Sequence, residues 1–247
     1  MADIEIKPYA HDTTSKHKQV EAMFNDIAPT YDCLNHTLSL GIDRLWRRSL
    51  IRHIARYKPH TDHVLDVATG TGDLAIEACK RLHTPMITAC DIADSMMRIA
   101  IEKAERQRLT HRMQFMHEDC EHLTFDDDTF DVVMSAFALR NFENLDACLA
   151  EIYRVTTPGG MVAIIDLCAP QRWPMTSIFR IYRHWLMPAA GKLLAHNTQA
   201  YSYLPHTMSA TEQGADMAVH FALANFQNVK FRYLAFDMCC LYTGIKS

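Results

Sequence analysis

The stretch VLDVATGTGDLA, residues 64–75, has the composition of a small-ligand site. An apolar run leads into Gly70 and Gly72, where the missing Cβ atoms permit a sharp turn and the close approach of a ligand to the backbone. The helical pattern that follows would present free N–H groups, which suit a phosphate or a carboxylate. The stretch therefore predicts a nucleotide-like ligand, and two classes of ligand compete for it.

A dinucleotide is the first class. Gly70, Gly72 and Ala75 have the spacing of the dinucleotide fingerprint, and Asp91 lies near the position where an acidic residue would bind the ribose. Asp66 argues against this class. Its carboxylate, four residues before the first glycine, would repel a pyrophosphate and attract an ammonium group.

S-adenosylmethionine is the second class, and it matches polar residues at the ends of predicted strands. Asp91 ends the second strand, Asp119 and Cys120 follow the third, and Ser135 ends the fourth. Asp91 has acceptor oxygens for both ribose hydroxyls. Asp119 would accept from the adenine amino group, and the Cys120 N–H would reach a ring nitrogen. Because the carboxyl ends of parallel strands share one edge of the sheet, these residues predict a compact cofactor at its switch point.

Five strand-like runs that alternate with helical runs would position these residues. The helical runs between them have apolar residues at three- and four-residue spacing, and the strands are HVLDVA, PMITACDI, MQFMHED, FDVVMSAF and GMVAIIDL. The final stretch, NVKFRYLAFDMCCLYTGIKS, alternates as two more strands that meet near Asp237. The pattern predicts a doubly wound, Rossmann-like α/β fold with a mostly parallel seven-stranded sheet that ends in a β-hairpin.

The remaining segments are predicted to be helical additions to this sheet. Residues 1–18 are predicted to form a flexible tail, and residues 19–247 a single domain. Within that domain, residues 19–57 would form a helical lid, and residues 172–225 a helical insertion on the acceptor side. The insertion contains WPMTSIFRIYRHWLMPAAGKLLA, which predicts two helices broken at Pro188 and suits either a membrane interface or a core-facing helix.

Composition limits the classes of function. Hydrophobic residues make up 49% and charged residues 22%, which is typical of a globular enzyme. The net charge of −4 does not indicate a protein that binds nucleic acid through an overall positive charge. The eight cysteines are scattered without a CxxC pair, which predicts reduced thiols and a cytoplasmic protein. No apolar run reaches the roughly 18 residues of a membrane span, so membrane contact would be peripheral, at the inner face. The histidines form no convincing metal site.

Six motifs occur in the order MFNDIAPTYDCLNHTLSLGIDRLWRR, VLDVATGTGDLA, DIADSMM, LTFDDDTFDVVMSAFALRNF, EIYRVTTPGG and AYSYLP. In sequence and order they resemble the ubiquinone/menaquinone biosynthesis C-methyltransferases, a family of class I S-adenosylmethionine-dependent methyltransferases, from about residue 20 to the C-terminus. The resemblance implies cofactor contacts at Thr71, Asp91, Asp119, Cys120 and Ser135. It also implies methyl transfer to a ring carbon of a demethylated quinol.

Three residues near the predicted cofactor mouth are candidates for catalysis. Arg140 and Asn141 follow the fourth strand, and Arg140 would stabilise the negative charge of a phenolate; the alternative for it is a surface salt bridge. Tyr31, with Asn35, lies in the first motif and would close over the acceptor as part of a lid; the alternative is ordinary packing. His206 is a weaker candidate for a base.

The resemblance implies that the acceptor is a demethylmenaquinol with a polyprenyl tail, methylated in a late step of menaquinone biosynthesis. A benzoquinol intermediate of ubiquinone biosynthesis or a small phenolic metabolite is the near alternative. A nicotinamide-dependent reductase and a non-catalytic protein that keeps the fold are more distant ones. The sequence leaves the oligomeric state open, including a homodimer.

Overall fold

The computed structural model describes residues 7–9, 12–83, 86–181, 203, 207 and 211–247. The predicted helix break at Pro188 and the candidate base His206 lie outside these residues. The helices are α1 Lys16–Leu38, α2 Ile42–Tyr57, α3 Asp73–Arg81, α4 Asp94–Arg106, α5 Leu145–Val155, α6 Met175–Ile181 and α7 Ala215–Leu223. The strands are β1 His63–Val67, β2 Met86–Asp91, β3 Met113–His117, β4 Phe130–Ala136, β5 Thr156–Leu167, β6 Gln227–Leu234 and β7 Cys239–Ile245.

The seven strands form one sheet in the order β3-β2-β1-β4-β5-β7-β6. The first five strands run parallel, and β7 pairs antiparallel with both β5 and β6. The order reverses next to β1, so the switch point lies between β1 and β4. This topology confirms the predicted doubly wound sheet and its terminal hairpin.

Both faces of the sheet are covered by helices. One buried cluster joins Trp46 and Leu50 of α2 and Leu74 of α3 to strand residues such as Val64. A second cluster on the opposite face joins Leu149 of α5 and Phe221 of α7 to the sheet. Because β1, β2, β4 and β5 are enclosed from both sides, their sequences read as nearly continuous apolar runs, whereas in the edge strand β3 only Met113 is buried.

The first helix begins earlier than the sequence pattern suggests. Helix α1 starts at Lys16, and the Ser15 side chain accepts a hydrogen bond from the Lys18 amide at 3.4 Å as its N-cap. Residues 16–18, predicted as the end of the tail, therefore belong to this helix. Within the described residues, no helix has the length and apolar character needed to cross a bilayer.

Candidate active site

A cleft opens at the carboxyl edge of the sheet, above the ends of β1, β2 and β4. Its empty space, counted out to solvent, is about 700 Å³. Helix α1 contributes Phe24 and Tyr31 to the lining. The end of β2 contributes Asp91, and the segments after β1 and β4 contribute Gly70 and Asn141. A concave site lined by apolar side chains with a few polar groups is typical of small-molecule binding.

Asp91 is held in place by backbone donors on both of its carboxylate oxygens. The Gly70 N–H donates to Oδ2 at 2.7 Å, and the Ala93 N–H donates to Oδ1 at 2.8 Å. Burial raises the pKa of Asp91, although these two N–H groups act in the opposite direction. Each oxygen keeps a second lone pair, so the carboxylate can still accept one hydroxyl on each side, as two ribose hydroxyls require.

The two glycines of the turn have different roles. Gly70 has φ +56° and lines the cleft, and a Cβ built on it would meet no atom within 4 Å. Gly72 has φ +79°, and its built Cβ would lie 2.8 Å from the Ala100 Cβ of α4. Gly70 therefore leaves room for a ligand, whereas Gly72 allows the start of α3 to pack closely on α4.

Asp66 is a buried carboxylate on β1 that is incompletely hydrogen-bonded. Its Oδ2 accepts a hydrogen bond from the Thr69 hydroxyl at 2.6 Å, while Oδ1 has no well-aligned hydrogen-bond partner among the described residues. Burial raises its pKa to about 7, with the Thr69 hydroxyl and the Ala75 amide acting in the opposite direction. Asp66 is not among the residues that line the cleft, so its predicted contact with the cofactor stays a prediction. The charge of a carboxylate here would favour an ammonium group over a phosphate.

Asp119 and Cys120 follow β3 and line the cleft, and their contacts with a cofactor stay predictions. The Asp119 Oδ1 accepts from the Glu121 N–H at 2.9 Å, and its Oδ2 lies 3.7 Å from Nδ1 of His17 on α1. Burial and the nearby acids raise the pKa of the Cys120 thiol well above its ordinary value. This thiol is therefore an uncharged wall of the cleft and not a nucleophile.

Thr71 and Ser135 direct their side chains elsewhere. The Thr71 hydroxyl donates to Asp32 at 2.5 Å, and the fully buried Ser135 hydroxyl donates to the Val67 carbonyl at 2.6 Å. Neither residue is among those that line the cleft. Their predicted cofactor contacts therefore stay predictions, because both hydroxyls are already hydrogen-bonded within the protein.

Of the three catalytic candidates, Tyr31 and Asn141 line the cleft, whereas Arg140 lies behind it. Arg140 is 9% exposed and its Nη1 contacts the Asp166 Oδ1, while its backbone N–H donates to Oδ2 at 3.2 Å. The ion pair is thus buried, unlike the surface salt bridge considered above, and the Arg140 Nε has no partner among the described residues. Burial raises the pKa of the Tyr31 hydroxyl, against the charge of Arg140 and a hydrogen bond with Asn35.

Phe137 was not predicted to be part of the site. It follows β4, lines the cleft and has φ +67°, a backbone conformation that is uncommon for an aromatic residue. Its ring lies edge-on to Trp46 at 6.1 Å between centroids and 5.2 Å from the Arg47 guanidinium. An apolar pair within a loop at a strand end, as in SAFALRNF, was the signal that would have indicated it.

A network of charges ties α1 and α2 to the sheet domain beside the cleft. Lys103 of α4 lies 2.9 Å from Asp32 of α1 and also contacts Asp73 of α3, and Arg47 of α2 lies 3.5 Å from Asp73. Burial raises the pKa of Asp73, but the two cations outweigh burial and hold it below its ordinary value. The network fixes α1, whose residues line the cleft, and joins α2 to the start of α3.

Within the described part of the chain, one group has the spacing of metal ligands: His36, Asp43 and Asp73. Arg47 contacts both carboxylates, and Lys103 contacts Asp73 as well. These cations already supply the positive charge that the carboxylates need, and they would repel a metal ion. The cluster is therefore a salt-bridge network.

Comparisons with known proteins agree with this geometry. The model of the ubiE/COQ5 methyltransferase family matches residues 12–246. The demethylmenaquinone methyltransferase of Bacteroides fragilis is 46% identical over 98% of both chains, and that of Porphyromonas gingivalis is 41% identical over 98% of both. A crystal structure of an Aquifex aeolicus SAM-dependent methyltransferase superposes with a TM-score of 0.57 at 16% identity, covering 80% of this chain and 89% of that one. This last likeness confirms the fold.

Proposed function

Since the chain belongs to the ubiE/COQ5 methyltransferase family, we propose that it methylates a ring carbon of a demethylmenaquinol with S-adenosylmethionine as donor. Its relatives from Bacteroides fragilis and Porphyromonas gingivalis are named demethylmenaquinone methyltransferases. The observation that carries the proposal is the cleft itself. The anchored Asp91 carboxylate shares one space with Tyr31 and Asn141, so a donor and an acceptor can meet there.

The residues that would hold the cofactor are those that can still offer a hydrogen bond, an accessible backbone or a charge to a ligand. Asp91 accepts the ribose hydroxyls and the bare backbone at Gly70 approaches the amino acid portion. Asp66, which does not line the cleft, would attract the ammonium group through its charge alone. Asp119 and Cys120 lie where the adenine would be recognised. When bound, the cofactor supplies an electrophilic methyl group on a positively charged sulfur.

The acceptor side of the cleft activates the quinol by electrostatics. A quinol ring carbon becomes a better nucleophile as the neighbouring hydroxyl loses its proton. Arg140 is paired with Asp166 behind the cleft, so its proposed role is to favour the phenolate through its electrostatic field, which also acts to lower the pKa of Tyr31 against the effect of burial. The raised pKa of Tyr31 keeps its hydroxyl protonated, so it donates a hydrogen bond to the same ring oxygen. The Asn141 amide, which lines the cleft, orients the ring.

Apolar side chains keep water away from the transfer. Val20 and Phe24 of α1 and Phe137 and Phe142, which follow β4, all line the cleft. Positioning two reactants in such a space replaces a bimolecular encounter and contributes several kcal/mol to catalysis. We propose that α1 acts as the predicted lid, because its residues supply one wall and its charge network anchors it.

The acceptor also suggests where the protein works. A polyprenyl tail confines a quinol to the bilayer, so the proposed location is the cytoplasmic face of the membrane, with peripheral contact. The enzyme then takes the ring from the lipid while its domain stays in water.

The direct test uses the purified full chain with S-adenosylmethionine and reduced demethylmenaquinone in detergent. Mass spectrometry should detect a quinone one CH₂ unit heavier, and Asp91→Asn should abolish most of the product. A benzoquinol precursor serves as the competing acceptor. Methylation of the benzoquinol with none of the demethylmenaquinol would contradict the proposed acceptor while leaving methyl transfer in place.

A further inference from the structure

The three most exposed large apolar side chains of the described residues lie in three separate loops. Trp173 is 83% exposed between β5 and α6, Leu40 is 81% exposed between α1 and α2, and Phe236 is 78% exposed between β6 and β7. Single exposed apolar residues are common on proteins. Three at the tips of different loops are informative when the fold brings those loops to one side.

The three loops lie at the carboxyl edge of the sheet, where the cleft opens. Strand β5 ends at Leu167, which pairs with Cys239 at the start of β7, so the loops that follow and precede them share this edge. The Cys168 N–H donates to the Met238 carbonyl at 3.0 Å and joins the two loops directly. The α1–α2 turn is placed there by His36, which lies 3.6 Å from Asp73 at the start of α3.

The backbone at two of these tips does not call for an apolar residue. Leu40 has φ +52° and Phe236 has φ +56°, in the left-handed region that favours glycine and asparagine. A leucine or a phenylalanine in this conformation raises the energy of the backbone. Because both side chains are exposed, burial within the folded chain does not offset that cost. The folded protein alone gives no reason for these residue types.

Exposed arginines surround the apolar tips. Arg172 is next to Trp173, its side chain is 87% exposed, and its Nε lies 3.9 Å from Asp237. Arg44 is exposed one turn after Leu40, beside Leu45, which is 53% exposed. Apolar and aromatic tips flanked by arginines are typical of protein surfaces that insert shallowly among anionic lipid headgroups.

We propose that this rim, made of Leu40, Trp173 and Phe236 with Arg44 and Arg172, docks on the surface of an anionic phospholipid bilayer. Docking turns the carboxyl edge of the sheet, and thus the cleft, toward the membrane. A lipid-soluble acceptor then enters without crossing water. The inference rests on the proposed function for the identity of the acceptor, whereas the docking surface itself rests on the exposed residues.

The experiment measures co-sedimentation of the full chain with vesicles of phosphatidylglycerol and phosphatidylcholine. Leu40→Asn and Phe236→Asn remove the apolar tips, and asparagine tolerates the left-handed backbone, so thermal unfolding should show an intact fold. Each substitution should lower the partition coefficient about tenfold, since roughly 1.4 kcal/mol of transfer energy corresponds to that factor. Leu223→Asn is the control, because Leu223 is 69% exposed at the end of α7, which leads to the opposite edge of the sheet.

Wild-type binding should also weaken on vesicles of phosphatidylcholine alone, because the arginines lose their anionic partners. Equal vesicle binding by wild type and both variants, or no binding by wild type, would overturn the docking surface. A dimer that dissociates in the variants in sedimentation velocity, with vesicle binding unchanged, would assign the rim to a second copy instead. Methylation of a short-tailed demethylmenaquinol in solution separates the two proposals, because rim variants should keep that activity. If wild type lacks it while still binding vesicles, the proposed function fails and the docking surface stands.

Discussion

Replacing Gly70 and Gly72 by alanine, one at a time, should separate ligand binding from helix packing. Both glycines adopt left-handed backbone, so each alanine costs about 1 kcal/mol of stability for that reason alone. At Gly70 nothing else is added, because the new Cβ meets no atom within 4 Å. At Gly72 the new Cβ lies 2.8 Å from the Ala100 Cβ and 3.3 Å from its Cα, so overpacking adds about 1–3 kcal/mol.

The two variants should therefore behave in opposite ways in two assays. Urea unfolding without cofactor should show a loss of about 1 kcal/mol for Gly70→Ala and about 3 kcal/mol for Gly72→Ala. Calorimetric titration with S-adenosylhomocysteine should show an affinity at least about tenfold weaker for Gly70→Ala, whose methyl enters the cleft, and nearly unchanged for Gly72→Ala.

A double variant provides the control. Ala100→Gly removes the atom that the new Cβ would meet, so combined with Gly72→Ala it should restore about 1–3 kcal/mol relative to additive losses. Equal stability losses for the two single variants would refute the packing role of Gly72. Unchanged cofactor affinity in Gly70→Ala would refute the ligand role of Gly70.

Asp91→Asn should weaken binding of S-adenosylhomocysteine by about 10- to 100-fold in calorimetric titration, since an amide cannot accept two hydroxyls as well as two N–H groups; wild-type affinity would argue against the ribose assignment. Burial raises the pKa of Asp66 from 3.8 to about 7, so its contribution to stability is fully present below the unfolded pKa and is lost as pH rises through about 7. Between about pH 4 and pH 8 the unliganded wild type should thus lose up to about 4 kcal/mol relative to Asp66→Asn in urea titrations, and parallel curves would contradict this. Asp166→Ala should cost about 3–5 kcal/mol in unfolding experiments because it leaves Arg140 buried and unpaired. Replacing both Asp166 and Arg140 by Met should recover most of that loss, and no recovery would contradict the pairing.

Elements with a repeating local pattern were predictable from the sequence. The five strand-like runs become β1 to β5, and in the four of them that are largely buried the reason is that buried parallel strands need continuous apolar residues. The alternating end of the chain becomes the β6–β7 hairpin around residues 235–238. The side chains at strand ends, such as Asp91 and Asp119, were predictable for the same reason. Parallel strands bring their carboxyl ends to one edge whatever the details of packing.

Partners across the fold were not predictable in this way. Thr71 lies next to the glycine turn in the sequence, but its hydroxyl is bound by Asp32, 39 positions away. Arg140 pairs with Asp166, 26 positions later, because β4 and β5 are neighbours and place both residues behind the cleft. A linear motif shows which residues are near a loop but not the direction in which each side chain points.

The position of β7 between β5 and β6 has a consequence for synthesis of the chain on the ribosome. All the parallel strands emerge before β7, so β5 leaves the exit tunnel with one edge unpaired. That edge stays open until the last strand is translated, and an open edge of apolar residues invites pairing with other nascent chains. Chains that stop before Cys239 should therefore accumulate in inclusion bodies, even though β1 to β5 are complete.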